Sequence, residues 1–164
     1  MDKFQKVFES DRIYYVKLSE ELVGDYLVML NDKELRKNIG MEAPEITAES
    51  ETEWVKSKLE KDARCFSMIE KETGDYIGNI EIMDVIDGVA ELGITITSAK
   101  QNNHFGTEAM KAIIEYGKQE LPGVNYDLNV HADNPRAIKC YKNVGFVEDG
   151  AGKDDGDIHM KYVG

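Results

Sequence analysis

Residues able to hold an anion and to move protons gather in the second half of the 164-residue chain. From Lys100 to Gly106 the sequence offers small amides, one cation and a glycine where an amphipathic helix begins, since Met110, Ile113, Ile114 and Gly117 recur at helical spacing. Backbone N–H groups at a helix start have no intrahelical partner, so this segment is an anion seat. Upstream, Glu91 to Thr97 alternates as a strand rich in Ile and Thr that leads into the seat. Downstream, Asn134-Pro135 opens another helix, with asparagine as the cap and proline in the first turn. Tyr141 shares one face of that helix with Ala137 and Ile138, and Gly145 suits the position after its last turn. Neither Gly-x-x-x-x-Gly-Lys-Ser/Thr nor Gly-x-Gly-x-x-Gly after a strand occurs, which removes the usual triphosphate and dinucleotide signatures.

A frame of strands and helices must position these groups. Arg12 to Leu18 reads as a first strand, followed by Ser19 as the cap of a helix through about Leu30, with two glutamates in its first turn. Asp32 to Asn38 continues as a short helix, Met41 to Thr47 lapses into a loop with Pro44, and Ser50-Glu51-Thr52-Glu53 reads as a capping box opening a helix through about Lys61. Arg64–Ile69 and Tyr76–Val85 alternate as strands joined through Lys71–Asp75, and Asp87-Gly88 turns the chain into the Glu91 strand. After the central helix, broken by Leu121-Pro122-Gly123, come a strand from Asn125 to His131, the helix opened by Asn134, and closing strands at Gly145–Val147 and Ile158–Val163. This order predicts an α+β fold: a mixed, mostly antiparallel twisted sheet of six or seven strands flanked by about four helices.

Composition narrows the partners. With 41% hydrophobic residues and three prolines, residues 1–164 are expected to form a single domain. Twenty Lys and Arg against 32 Asp and Glu give a net charge of −12, which repels nucleic acid and fits a cationic partner, although an acidic surface also serves solubility alone. Cys65 and Cys140 lack metal-ligand spacing, and no charged-then-apolar leader precedes them, so a cytoplasmic setting without a metal is expected. No apolar run is long enough to cross a membrane, and internal repeats are absent.

Two stretches carry a family likeness. Gln101-Asn102-Asn103-His104-Phe105-Gly106-Thr107-Glu108-Ala109 resembles the acetyl-coenzyme A pyrophosphate loop of the GNAT acyltransferases, Gln/Arg-x-x-Gly-x-Gly/Ala, with His104 in place of the first glycine. The spacing Asn-x-x-Ala-x-x-x-Tyr-x-x-x-Gly-Phe from Asn134 to Phe146 resembles the carboxyl-terminal GNAT motif. Ala90–Gly93 and Gly106–Ala109 look most like the branch acting on ribosomal-protein amino termini, polyamines and small amines.

The resemblance implies an N-acetyltransferase that moves the acetyl group of acetyl-coenzyme A to a primary amine, whether a small cationic amine, a polyamine or a peptide amino terminus. The alternative is a catalytically silent acetyl-coenzyme A-binding module that regulates or scaffolds, and either reading fits a monomer or a homodimer. In such a fold the strands ending near Thr97 and His131 splay apart, and pantetheine adds to Ile94, Thr95 and Ile96 like an extra strand. Gln101, Asn102, Asn103, His104, Phe105, Gly106 and Thr107 would hold the pyrophosphate, with Asn134 and Ala137 also at the coenzyme. Tyr141 would stand near the sulfur as the acid for the departing thiolate; the competing reading is a core tyrosine.

Glu91, in an apolar cleft that raises its pKa, would accept the amine's proton, with Glu81 as its rival and a solvent-facing strand residue as the plain alternative. A backbone N–H near Gly93 and Ile94, where the glycine marks a bulge, would meet the oxyanion. Lys100, Arg136, Lys139 and Lys142 cluster about both motifs and suit the coenzyme's phosphates, although a solvated helix face explains the last two equally well. His104 tolerates positive φ, His131 ends a strand near the cleft, His159 has no assigned role, and Trp54 is a packing or lid residue.

Overall fold

The structure, a computed structural model, describes residues 3–38 and 44–164. Part of the expected loop after Asn38, and Glu42 with it, lies outside the described residues. Strands β1 (Lys6–Glu9) and β2 (Ile13–Lys17) come first, followed by a 3-10 turn at Glu20–Leu22 and helices α1 (Val23–Leu30), α2 (Lys33–Asn38) and α3 (Ala48–Glu60). Strands β3 (Arg64–Glu70), β4 (Tyr76–Ile86) and β5 (Val89–Ile96) lead to α4 (Phe105–Glu120). The chain closes with β6 (Asn125–His131), α5 (Pro135–Val144), β7 (Phe146–Ala151) and β8 (Asp157–Tyr162).

Among the described residues these eight strands form one sheet in the order β1-β2-β3-β4-β5-β6-β8-β7, and only β5 and β6 run parallel. The mixed, mostly antiparallel α+β design is as expected, with two differences. The sequence reading omits β1, a four-residue edge strand without alternation whose register with β2 slips between Lys6 and Phe8. It also places the α3 box three residues late. Thr47 is the cap: its hydroxyl accepts from the Ser50 N–H at 3.1 Å, and Ser50 answers to the Thr47 N–H at 3.3 Å. Ser19 does cap the 3-10 turn before α1, accepting from the Glu21 N–H at 3.2 Å. Asp87 and Gly88, with φ of 53° and 79°, make the primed turn that a right-twisted hairpin prefers.

Alternation along the strands separates two cores. On one face Ile80, Ile82, Ala90, Leu92 and Leu128 bury against the α4 stripe of Phe105, Ala109, Met110, Ile113 and Ile114. On the other, Val16, Cys65, Ile69 and Tyr76 pack with Tyr26 and Met29 of α1 and Val55 of α3. Each fully buried large apolar side chain of this kind contributes about 1.5–3 kcal/mol. β5 packs against α4 on one face, and none of its residues belongs to the second core.

Candidate functional site

Parallel pairing of β5 with β6 covers Val89↔Asn125, Ala90↔Tyr126 and Glu91↔Asp127, and ends there. Beyond Glu91 the two strands part, as expected, and a cleft of about 930 Å³ opens between them and over both faces of β5. The ladder with β4 decides which backbone groups look into it. The Thr97 N–H donates to the Ile77 carbonyl at 2.9 Å, which makes Thr97/Ile77, Thr95/Asn79 and Gly93/Glu81 the hydrogen-bonded pairs of that antiparallel register. The N–H and C=O groups of Ile94 and Ile96 therefore point away from β4, toward the opening. The Ile96 carbonyl is taken there by the Gln101 amide at 3.0 Å. Thr95 turns its backbone to β4 and offers the cleft its side chain. The bulge expected at Gly93 is not there: Gly93 pairs in register with Glu81, and the slip lies between Ile82 and Val85.

At one end of the cleft stands the amino terminus of α4. Its cap residue, His104, has φ 63° and makes no side-chain capping bond, so the first-turn N–H groups keep no side-chain acceptor. Asn102 is also left-handed, with φ 65°, and Asn103 pins the turn by donating to the Lys100 and Gln101 carbonyls at 3.3 and 3.0 Å. Asn102, His104, Phe105, Gly106 and Thr107 line the cleft, whereas Asn103 serves the loop itself. The seat is braced from behind: Glu108 accepts from the Ser10 hydroxyl at 2.6 Å and from the Arg12 N–H and Nε at 2.8 Å each. Burial pushes the Glu108 carboxyl up, but these bonds outweigh it and hold the group below its ordinary value.

Two expectations about charge change here. Lys100 lines the cleft, but its ammonium is held by Glu70 and Asp75 at 2.8 Å each, tying the loop to the β3–β4 turn. Lys142 is paired with Glu148 at 2.9 Å. Arg136, donating to the Asn102 side chain at 3.3 Å, and Lys139 remain as cations on the cleft wall.

Helix α5 supplies the second wall. Asn134 caps it, its side-chain oxygen accepting from the Ala137 N–H at 3.4 Å, and Asn134, Ala137 and Tyr141 all line the cleft. Tyr141 is half-buried, edge-on to Phe146 at 6.1 Å, and burial with the neighbouring Cys140 holds its phenol protonated to well above the usual range. Raising the pKa keeps the hydroxyl protonated and able to donate a hydrogen bond, although it also makes the phenol a weaker acid.

The face of β5 toward α1 and α3 carries the polar side chains. Glu91 lines the cleft, but the apolar setting expected for it is absent, because its carboxylate is ion-paired with Lys153 of the β7–β8 turn. Glu81 is paired with Lys58 at 3.3 Å. Tyr26, Ser67 and Asn79 form a hydrogen-bonded chain that reaches the cleft at Asn79, and burial, against the Ser67 hydrogen bond, pushes the Tyr26 phenol up to about 12. Trp54 packs edge-on to Tyr26 at 6.5 Å and also borders the cleft.

The residue that sequence reasoning passed over is Glu51, assigned there only to a capping box. It is 5% exposed, lines the cleft, and among the described residues finds neither a cation nor a hydrogen-bond donor, so burial raises its pKa. The available signal was its spacing, three and four residues before Trp54 and Val55, on the apolar stripe of α3. His131 borders the cleft at the end of β6, and His159 instead clamps three strands, meeting Asp127 of β6 at 2.7 Å and Asp149 of β7 at 3.2 Å.

An opened parallel pair, an uncapped helix start and a protonated phenol on one cleft suit a thioester-bearing coenzyme with phosphates, and the comparisons agree. Residues 12–147 match the family described as the acetyltransferase (GNAT) domain, and the chain belongs to that family, whose members use acetyl-coenzyme A. It is 31% identical over 98 residues to the uncharacterized N-acetyltransferase p20 of Bacillus licheniformis, covering 58% of this chain and 55% of that one. It is 35% identical over 95 residues to the L-amino acid N-acetyltransferase AaaT of Escherichia coli K12, covering 55% and 58%. The chain thus spans little more than half the length of the curated relatives it matches. In fold it resembles the spermidine N-acetyltransferase from Vibrio cholerae, solved with CoA and spermine, at a TM-score of 0.80 and 20% identity over 94% of this chain and 96% of that one. Among the described residues no helix is long and apolar enough to cross a membrane.

Proposed function

We propose that the protein transfers the acetyl group of acetyl-coenzyme A directly to a cationic primary amine. The observation that carries this reading is the parting of β5 from β6 after Glu91, which leaves the Ile94 N–H and C=O facing an open cleft between the α4 start and Tyr141. A pantetheine chain laid along that edge replaces the missing ladder partner, with its diphosphate at the N–H groups of the first α4 turn and Arg136 beside it. The acetyl thioester then lies near Gly93 and Ile94, where the Ile94 N–H is placed to polarise its carbonyl. Tyr141 gives its proton to the departing thiolate. Glu91, reached through water while paired with Lys153, accepts the proton of the amine, so protons move at two separate oxygens.

The two relatives whose acceptors are stated take different molecules, spermidine in one and L-amino acids in the other. The acceptor side of this cleft favours the first kind. Lys58 and Lys153 are taken up by Glu81 and Glu91, which leaves Glu51 unpartnered among the described residues, so an acceptor carboxylate would meet the like charge of Glu51.

The test is thiol release from acetyl-coenzyme A across diamines, monoamines, amino acids and a peptide amino terminus, with mass spectrometry of the product. Acetyl-coenzyme A-dependent acetylation of amines lacking a carboxylate is expected. Tight coenzyme binding with no thiol release for any acceptor would replace the enzyme with a silent binding module.

A further inference from the structure

Cys65, Glu81 and Gly93 stand opposite one another in register across β3, β4 and β5, so they form one row on the acceptor face of the sheet. The reacting carbon, on the reading above, lies at the Gly93 end of this row. Two strand spacings separate that end from Cys65, roughly 10 Å. Glu51 lines the same cleft as Cys65, whose thiol is pushed up to about 12 by burial above all, then by Glu81, against Lys58, and last by Glu51. Between the ends, Glu81 is neutralised by Lys58, while apolar Met29, Leu35 and Trp54 border the same space.

Glu51 is thus a residue only 5% exposed, bordering the cleft, and its carboxylate is unpartnered among the described residues. Burying a charge without a partner is costly, and the favourable first turn of α3, where Glu51 lies, offsets only part of that cost, since burial still raises its pKa. A ligand that brings a cation to this point removes the cost. The row from Gly93 to Cys65 sets the scale of this part of the cleft, a length that an extended aliphatic spacer of about five to seven methylenes covers at roughly 1.3–1.5 Å of reach per backbone atom.

We propose that Glu51 receives a second, non-reacting ammonium of the acceptor, so that the site selects aliphatic diamines over monoamines and over amines ending in a carboxylate. This rests on the acetyltransferase reading. One ammonium is anchored at Glu51, the spacer lies along Met29, Leu35 and Trp54, and the other nitrogen reaches the thioester.

The experiment compares 1,5-diaminopentane, n-pentylamine and 5-aminopentanoate as acceptors for the wild type and for Glu51→Gln. In the wild type, kcat/KM should favour the diamine over pentylamine by at least about tenfold, with the carboxylate-bearing amine poorest. In Glu51→Gln the diamine should lose that advantage through KM, pentylamine should be unchanged, and the melting temperature should hold or rise. A melting temperature that falls together with all three activities would make Glu51 structural and overturn the assignment. So would a retained diamine preference in the variant, or no preference in the wild type.

If the wild type acetylates none of the three, the wider acceptor panel decides the transfer reading by itself. The role of Glu51 is then read by calorimetric titration of the same amines into protein saturated with coenzyme A. Diamine binding lost in Glu51→Gln supports the receptor, and equal binding in both proteins overturns it. Should Glu51→Gln not fold, the wild-type order of the three amines decides the question.

Discussion

On the proposed reading, the coenzyme side and the acceptor side of the cleft are built differently. The coenzyme side is mostly backbone: the Ile94 edge of β5 and the first-turn N–H groups of α4, held in place by left-handed residues at Asn102 and His104. The acceptor side is mostly side chain: Glu51, Trp54, Asn79, Glu81 and Glu91, drawn from one helix and two strands. Backbone donors recognise a shape common to every molecule of coenzyme A, and they depend on local conformation. Side-chain charges read one acceptor among many, and they depend on which distant elements meet. Residues can therefore change on the acceptor side without disturbing the coenzyme side.

The largest expected effect tests whether one side chain on the coenzyme side is indispensable. Tyr141→Phe keeps the contact with Phe146 and removes only the hydroxyl, so turnover should fall by about 10²-fold or more while coenzyme affinity by calorimetry stays near wild type. Full activity in this variant would reduce Tyr141 to a packing residue.

Gly106→Val asks whether the helix start tolerates bulk on its inner side. A Cβ at Gly106 lies 3.3 Å from the Cys140 sulfur and 3.4 Å from Ile96, so the branched side chain overpacks the contact of α4 with α5 and β5. A stability loss of about 1–3 kcal/mol is expected in denaturant titration. A fully stable variant would show that this contact yields freely.

A smaller effect concerns the brace. The Glu108 carboxyl is held below its ordinary 4.5, so its stabilising contribution is complete above the unfolded value and disappears as pH falls through the depressed one. Glu108→Gln should lower the melting temperature at neutral pH and flatten its fall on acidification. His159 has the opposite sign. The Asp127 hydrogen bond raises its pKa from 6.5, so its contribution is complete below that value and is lost as pH rises through the folded one. Matching acid slopes in wild type and Glu108→Gln would remove Glu108 from the account.

The smallest effect sharpens the backbone character of the seat. His104 occupies a φ of 63° without capping the helix, so His104→Gly should retain coenzyme affinity and stabilise by up to about 1 kcal/mol. A collapse of affinity would show that the imidazole itself holds a phosphate.

This division also explains what the sequence disclosed. The α4 and α5 starts were legible because each depends on residues within a few positions: Asn134 with Pro135, and the small polar run before Phe105. The divergence of β5 and β6 was expected only through the family likeness. Lys100 was misplaced because its partners, Glu70 and Asp75, lie some thirty residues away across a turn, at separations of 30 and 25. The Glu91–Lys153 pair, 62 residues apart, was hidden for the same reason. Thr47 was missed as a cap because Ser50-Glu51-Thr52-Glu53 satisfies the same local pattern three residues later.

The Glu108 brace also bears on how the molecule assembles. Ser10 and Arg12 reach the α4 start across 98 and 96 residues of chain, so the loop's final bonds close only after the opening hairpin has docked. Long loops of this kind form late, because their closure entropy must be met before the contact contributes. A fragment beginning at β3 would carry both sequence motifs and still leave Glu108 without its partners. The part of the chain most recognisable by motif is therefore completed by the part that bears none.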